Sequence, residues 1–530
     1  MTAASDASTL PRVMATSQPG TVGRAGGAAS AAPARPHAQH GVNAILAAIT
    51  QLGTMQFAIA LGTLVRNKLL AVHLKPEGFG EFSQILTIAA PVYVLAQCGM
   101  AVGLSRNTAA ATTGPDRQRQ LETANVVTAF IAAASLVAIL PLIFSPAGGS
   151  LMSGLGVRDR IEQKIILAVL LSIAPLEALR NNYLSFLQGL LDIKGISAKR
   201  TVAVAAGTAA AFPLIACFGV AGACAQAVLA SFLIALLLGL RCRALGFRPL
   251  AMAFHRPAAR LLAAFGAASL VIAFTQNSVD ALIRAHLIAF AGVSANGLYQ
   301  AAFALSAQVT TVVLGSIGAY SLATLSQTAS AAVLQSRLDD LLRVVLPVSA
   351  LALGTAGLAA APLFALLFSS QFAGGTRFLP LLLCGNYVQV ASWATGAPLL
   401  GRGLIRYWIG VQMVSVGTRY AIAVAGTPVM GSYAVPAAFV ASLTFDLAAY
   451  LVICSRMIGI APTRRTLARF AAGGAAVAFA ALAGSFGAGA HVIAAAAVAL
   501  AAAALVMAWQ DVPAVLAYGA RVLRTVTSAR

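Results

Sequence analysis

The chain has 530 residues, of which 59% are hydrophobic and 9% charged, where a soluble domain carries about 25% charged residues. Its 35 Lys+Arg face 14 Asp+Glu, a formal net charge of +21. So few charges cannot clothe a water-facing surface, and the basic residues do not gather on a polar face, so a soluble enzyme, a disordered chain and a nucleic-acid binder are excluded.

Residues 1–42 are rich in Ala, Ser, Thr, Pro and Gly and lack the apolar core of a signal peptide, so they are expected to form a disordered cytosolic tail. From Asn43 onward, apolar runs of about 20 residues recur, each long enough to cross a bilayer as a helix. In the first half they read as 43–72, 83–104, 124–145, 165–190, 201–218 and 221–240. The next six are 261–290, 298–324, 341–368, 378–400, 407–429 and 433–455, followed by 468–487 and 490–509. Continuous runs, in place of ten-residue alternation, exclude a β-barrel.

Charge tests this count of fourteen. With the N-terminus inside, 25 of the 35 Lys+Arg fall in the tails and cytosolic loops, and five (Lys75, Arg158, Arg160, Lys164 and Arg377) fall outside. That asymmetry predicts both termini in the cytosol. The +21 charge is mainly a signal of topology.

The chain also repeats itself. Arg66 and the following KPEGFGEFSQILTIAAPVYVLAQCGM find an echo in Arg284 and the following GVSANGLYQAAFALSAQVTTVVLGSIGA. Gly78 maps to Gly297 and Gly99 to Gly318 at one offset of 219 residues. Six spans separate equivalent points, so the copies keep the same orientation across the membrane. The predicted fold class is therefore an all-α polytopic membrane protein with about 14 transmembrane helices. Two parallel-repeat six-helix lobes surround a central cavity, with two extra C-terminal helices. The expected divisions are an N-lobe at 43–245, a cytosolic linker at 246–260, a C-lobe at 261–457, two further helices at 458–510 and a cytosolic tail at 511–530.

Five cations remain inside the apolar spans: Arg66, Lys68, Arg180, Arg284 and Arg419. Ionisable groups there are costly and by default point to function, unless the side chain snorkels from a helix end. Arg419 lies about 18 Å beyond Tyr407 and Arg180 about 22 Å into its span, whereas Arg66 and Arg284 lie about 9–12 Å from their outer helix ends. Lys68, on a different helix face from Arg66, reads as a snorkelling side chain. Three acids are also deep: Glu177, Asp280 and Asp446. Gln276, Asp280 and Arg284 recur every four residues beside Asn277, a polar stripe in which Asp280 and Arg284 have the spacing of an intrahelical pair. Glu177, Arg180 and Asn181 form a second cluster behind Pro175.

Two readings stand for these pairs. They neutralise each other and lock helices together, or they belong to a cationic cavity whose acids Asp280, Glu177 and Asp446 are proton or sodium sites. Asp446 has no partner on its own helix and fits a coupling role or a partner for Arg419. More Arg than acid suits an anionic cargo, because a guanidinium offers a planar fork to phosphate and stays charged when desolvated. The six cysteines are scattered singly and read as small buried hydrophobes, with no disulfide framework or zinc site. Walker A, HExxH and GxSxG sequences are absent, and no long extramembrane segment offers room for a catalytic domain.

The run RNKLLAVHLKPEGFGEFSQILTIAAPVYVLAQCGMAVGL resembles the opening helix pair of polysaccharide transporters in the multidrug/oligosaccharidyl-lipid/polysaccharide (MOP) exporter superfamily. GVSANGLYQAAFALS is similar to the start of their second half, and LRNNYLSFLQGLLDIKG to their fourth helix. The turn before Gly78 reads Lys-Pro where the family has Gly-Pro. The resemblance covers residues 43–455. It implies two six-helix lobes alternating between inward- and outward-open states in the bacterial inner membrane. The implied cargo is an undecaprenyl-diphosphate-linked oligosaccharide flipped to the periplasmic leaflet for O-antigen, capsule or exopolysaccharide.

On that reading Arg66, Arg180, Arg284, Arg419, Gln276 and Asn277 line the cavity and hold the anionic lipid-linked glycan. No cofactor is expected, transport is either coupled to H⁺ or Na⁺ or runs downhill, and membrane lipids, a polysaccharide polymerase and a chain-length regulator are candidate partners. Two alternatives remain: a cation-coupled multidrug exporter of the same superfamily, which favours an acidic cavity, and a membrane-embedded glycan polymerase or ligase, which calls for a long periplasmic loop. A purely structural scaffold would not need buried charges in both halves. Peptidoglycan-precursor flippases also fit fourteen helices, but their extended basic pattern on helix 2 is not found here. If the repeat is parallel, cysteines placed at 75–80 and at 291–297 react with an impermeant thiol reagent from the same side of the membrane. Labelling from opposite sides contradicts it.

Overall fold

The computed structural model describes residues 37–325, 330–486 and 489–508, and these are helical with no strand among them. Most of the 1–42 stretch and all of the 511–530 tail lie outside the described residues. Helix α1 (His37–Gln97) contains one non-helical residue, Lys75, and α2 (Met100–Ala110) follows Gly99 at φ 61°. Next come α3 (Gly114–Phe144), α4 (Pro146–Gly154), α5 (Ile161–Ser172), α6 (Ala174–Gly189) and α7 (Ile193–Ala244). The second half opens with α8 (Arg256–Ala291) and α9 (Val293–Leu325), joined at Gly292 with φ 84°. It continues through α10 (Ala331–Leu358), α11 (Ala360–Leu367), a 3-10 segment (Ser370–Phe378), α12 (Leu379–Gly401), α13 (Ile405–Met430) and α14 (Ala434–Met457). Helices α15 (Arg464–Ser485) and α16 (Ala490–Ala508) complete it.

Long apolar runs become helices because lipid offers no hydrogen-bond partner to a bare backbone. Where the chain leaves the helix, the local chemistry changes. Thr113 caps α3 by accepting from the Asp116 N–H, Ser145 caps α4 from Gly148, and Asp192 caps α7 from Gly195. Seven helical stretches among the described residues are long and apolar enough to cross a membrane, and three of them, of 50, 52 and 53 residues, are kinked or joined pairs. A straight 52-residue helix would be about 78 Å long, more than twice the apolar core of a bilayer. Helix α7 instead folds back at Gly219 (φ 53°, ψ −126°). Arg241, near its end, grips Asp192 at its start with two hydrogen bonds of 2.6 and 3.0 Å. That grip holds the Asp192 carboxyl below its usual pKa range. Within the described residues the fourteen apolar runs are helical, with those at 83–104, 165–190 and 341–368 each divided between two helices, and residues 487 and 509 lie outside the described residues.

In the first half, α2, α3, α6 and α7 close around Leu104, Leu121, Tyr183, Phe186 and Leu238. In the second, α10, α12, α13, α14 and α15 pack on one another. Helix α8 packs against both groups, on α2 and α3 and on α9 and α13. Helix α15 is extra to the repeat yet firmly seated. Asp339 of α10 accepts from the Thr463 N–H and the Thr466 hydroxyl at its N-terminus, and a Cβ on Gly484 would lie 2.0 Å from the Gly357 carbonyl. Four of the six cysteines are buried and all are free; Cys217 is exposed, so the expectation of buried small hydrophobes fails there.

The two copies of the repeat meet backbone to backbone at their turns. A Cβ on Gly80 would lie 2.2 Å from the Val293 carbonyl, and one on Gly297 would lie 1.9 Å from the Pro76 carbonyl. Nearby, Phe79 packs edge-on against Phe368 and Phe372. Lys68 is half-buried. Its ammonium donates to the Phe368 carbonyl at 2.6 Å and the Ala365 carbonyl at 3.3 Å, ending the otherwise open C-terminus of α11.

Lys75 has φ 55° and ψ 177°, a region essentially reserved for glycine, where a side chain costs of order 1–3 kcal/mol. Lys75→Gly is therefore expected to raise the unfolding free energy by about 1 kcal/mol, read as a higher thermal midpoint of the purified protein. A lower midpoint contradicts the strained turn.

Candidate functional site

Helices α1, α8, α9, α13 and α14 enclose a cavity of about 260 Å³. Four charged side chains line it, Arg66, Arg284, Arg419 and Asp280, so three guanidiniums face one carboxylate for a net +2. Asn277 lies on the same wall.

Arg284 is only 8% exposed and has no carboxylate partner among the described residues. Its Nη1 donates to the Ser83 hydroxyl at 3.2 Å, and the guanidinium lies 5.5 Å from the Tyr299 ring centre and 5.6 Å from that of Phe303. The close approach of Gly80 to Gly297 makes this possible, because it brings Ser83 of α1 beside α8 and α9. Asn296 completes the cluster, donating to the Gly80 carbonyl at 2.9 Å and to Ser83 at 3.3 Å. Arg66 also has no acid partner among the described residues, and its Nε is buried with no hydrogen bond.

The expected Asp280–Arg284 pair on α8 does not form. Asp280 instead binds Arg419 of α13 at 2.5 Å, because α13 brings its arginine against α8 while Arg284 turns toward Ser83 and the aromatic rings. Arg419 is thus taken by Asp280, and Asp446 is not its partner.

A second cavity, of about 390 Å³, lies among α8, α12, α13 and α14. It shares Asp280, Phe303, Arg419 and Phe439 with the first. Gln276, on the α8 stripe, lines this one and donates to the Gln412 amide oxygen at 2.8 Å. The Gln412 amide nitrogen in turn donates to Asp446 at 3.3 Å and to the Tyr450 hydroxyl at 2.8 Å. Asp446 is 4% exposed, and its Oδ1 has no hydrogen bond.

Glu177 and Arg180 line neither cavity. They form a two-bond pair on α6 at 2.6 and 3.1 Å, and Glu177 also accepts from Ser231 of α7. Here the structure favours the locking reading, one turn of helix joined to its neighbour. Asn67, Ser83, Gln300 and Tyr299 line the first cavity, and Gln389, Gln412, Trp393 and Trp408 the second, without having been singled out from sequence. Their signal was present as uncharged polar or indole side chains inside apolar runs, away from the charged residues that drew in Gln276 and Asn277.

This fold is similar to that of solved membrane transporters of the MOP superfamily. Residues 45–329 match the polysaccharide biosynthesis protein family, so the chain belongs to that family. An inward-facing multidrug resistance MATE family transporter of the MOP superfamily superposes with TM-score 0.60 at 16% identity, over 77% of this chain and 98% of that one. The lipid II flippase MurJ, in an inward closed conformation, does so with TM-score 0.60 at 11% identity, over 87% of this chain and 98% of that one. A MOP superfamily transporter from Pyrococcus furiosus, described as having a binding pocket of reversed polarity, gives 0.58 at 14% identity, over 80% and 98%. No curated protein sequence matches the chain.

The two acid–base pairs differ in burial, and that difference is measurable. Glu177→Gln is expected to cost about 2 kcal/mol or more, because this carboxylate, 7% exposed, holds both Arg180 and Ser231. Asp280→Asn, at a carboxylate 45% exposed to the cavity, is expected to cost less than about 1 kcal/mol. Equal losses in denaturant or thermal unfolding contradict the division into a structural pair and a cavity pair.

Proposed function

We propose that this protein flips an undecaprenyl-diphosphate-linked oligosaccharide from the cytosolic to the periplasmic leaflet of the inner membrane for surface polysaccharide assembly. The observation that carries this reading is the surplus of two unpaired guanidiniums in the first cavity. A diphosphate diester carries about two negative charges at neutral pH, which matches the cavity's net +2. Arg66 and Arg284 hold the diphosphate by charge-assisted hydrogen bonds, whose strength rises in a water-poor cavity. Both sit in the membrane without a carboxylate, so a diphosphate relieves a cost that the empty cavity bears.

The Asp280–Arg419 pair gives the cycle a coupling point. A proton or sodium ion arriving at Asp280 takes over its charge and frees Arg419 to join Arg66 and Arg284 on the anion. Loss of that ion restores the pair and weakens the grip, which favours release. The closed contact at Gly80 and Gly297 and the Phe79 cluster form the outer gate. With both termini cytosolic, as the Lys+Arg asymmetry supports, this gate faces the periplasm. The delivered glycan then passes to a polymerase and chain-length regulator. A drug–cation exporter of the same superfamily is disfavoured by the cavity's sign, since a net +2 repels an organic cation.

Deletion of the gene is expected to leave lipid-linked oligosaccharide on the cytosolic leaflet, and Arg284→Ala is expected to fail to restore export at normal protein levels. Normal export by Arg284→Ala removes that residue from the cargo site. Asp280→Asn is expected to alter the pH or sodium dependence of transport. An unchanged profile in the variant returns Asp280 to a structural role.

A further inference from the structure

The second cavity differs in kind from the first. One face of α12 presents Gln389, Ser392 and Trp393 at helical spacing, and α13 presents Trp408 and Gln412. Gln412 is held by Gln276, Asp446 and Tyr450. The Gln389 amide and the indole N–H groups of Trp393 and Trp408 have no hydrogen-bond partner among the described residues, and the Asp446 side chain lines the same space. Unpaired donors, a carboxylate and two indole side chains thus line a space of about 390 Å³, within the range of ligand pockets.

That combination suits a pyranose ring. A sugar alternates hydroxyls, which need both donors and acceptors, with C–H patches that lie flat against an indole. A cation site is less well served. The amide nitrogen of Gln412, a donor, faces Asp446, and no cluster of three or more His, Cys, Asp or Glu side chains occurs among the described residues. The two cavities meet at the Asp280–Arg419 pair, so a ligand whose diphosphate sits at Arg66 and Arg284 extends past that pair into the second space.

We infer that the second cavity is the glycan subsite, binding the sugar rings nearest the diphosphate through Trp393, Trp408, Gln389 and Asp446. This rests on the flippase reading above and assigns the other end of the same cargo. The division of labour is simple. Guanidiniums hold the lipid diphosphate, and indoles with amides hold the sugar.

The chain contains three tryptophans, so Trp509→Phe leaves only the two in this cavity as fluorescent reporters. The full-length Trp509→Phe protein in lipid nanodiscs is titrated with undecaprenyl diphosphate, and separately with the lipid-linked oligosaccharide extracted from a deletion strain. The glycan-bearing lipid is expected to change tryptophan emission and the bare lipid diphosphate is not. Gln389→Leu is expected to weaken the glycan-bearing lipid about tenfold, while leaving bare undecaprenyl diphosphate within about twofold. In a radiolabelled binding assay Trp393→Phe keeps affinity that Trp393→Ala loses, which separates a stacking face from a packing defect. Equal affinity of Gln389→Leu and its parent for the glycan-bearing lipid overturns the subsite and leaves the flippase reading standing. An emission change caused by sodium chloride or pH but not by the glycan also overturns it, in favour of a cation site. If neither lipid binds the parent protein, both readings fall together.

Discussion

A guanidinium buried in a membrane ordinarily brings a carboxylate with it, and Arg284 does not. It has a serine hydroxyl and two aromatic faces instead. A hydrogen bond to a charged group contributes about 1.5–3 kcal/mol and a desolvated cation–π contact about 2 kcal/mol, against an effective desolvation cost of several kcal/mol. The group is held in place yet under-compensated, and the proposed function assigns it the missing anion. The arrangement depends on backbone contact between the two repeat turns. Only because Gly80 and Gly297 have no side chains can Ser83 reach Arg284, and can Asn296 bridge Ser83 to the turn.

Lipid makes the helical architecture readable from sequence. A backbone with no water must satisfy itself, so the apolar runs are helices almost by necessity. The breaks at Lys75, Gly219 and Gly292 fall where runs end in Pro or Gly chemistry. The polar stripe of Gln276, Asp280 and Arg284 was equally legible, because helical spacing alone places those residues on one face. Their partners were not. Asp280 prefers Arg419, 139 residues away, over the arginine one turn along, and no local rule contains the approach of α13. Glu177 and Arg180 show the reverse case, where a local pair read as a possible cavity lining is a lock between α6 and α7. Lys68 is a related case: a helix C-terminus from the other half comes within its reach.

The residues missed altogether share one property, that they are polar without being charged. Gln389, Gln412, Trp393 and Trp408 carry no formal cost large enough to stand out in an apolar run, yet together they line the larger cavity. Under the proposed function, charge marks where the anion is held, and neutral polar groups mark where its uncharged remainder lies. The Asp280–Arg419 pair stands between the two spaces and belongs to both, so a change of charge there reaches both cavities.

The most direct measurement is cargo choice by the purified protein in sealed proteoliposomes. Lipid-linked oligosaccharide loaded in one leaflet is followed by an impermeant glycosidase, and an organic cation such as ethidium is followed by fluorescence. A cationic cavity built for diphosphate predicts that the glycan lipid reaches the opposite leaflet while the cation is not moved. Transport of the cation with the glycan lipid left behind contradicts it.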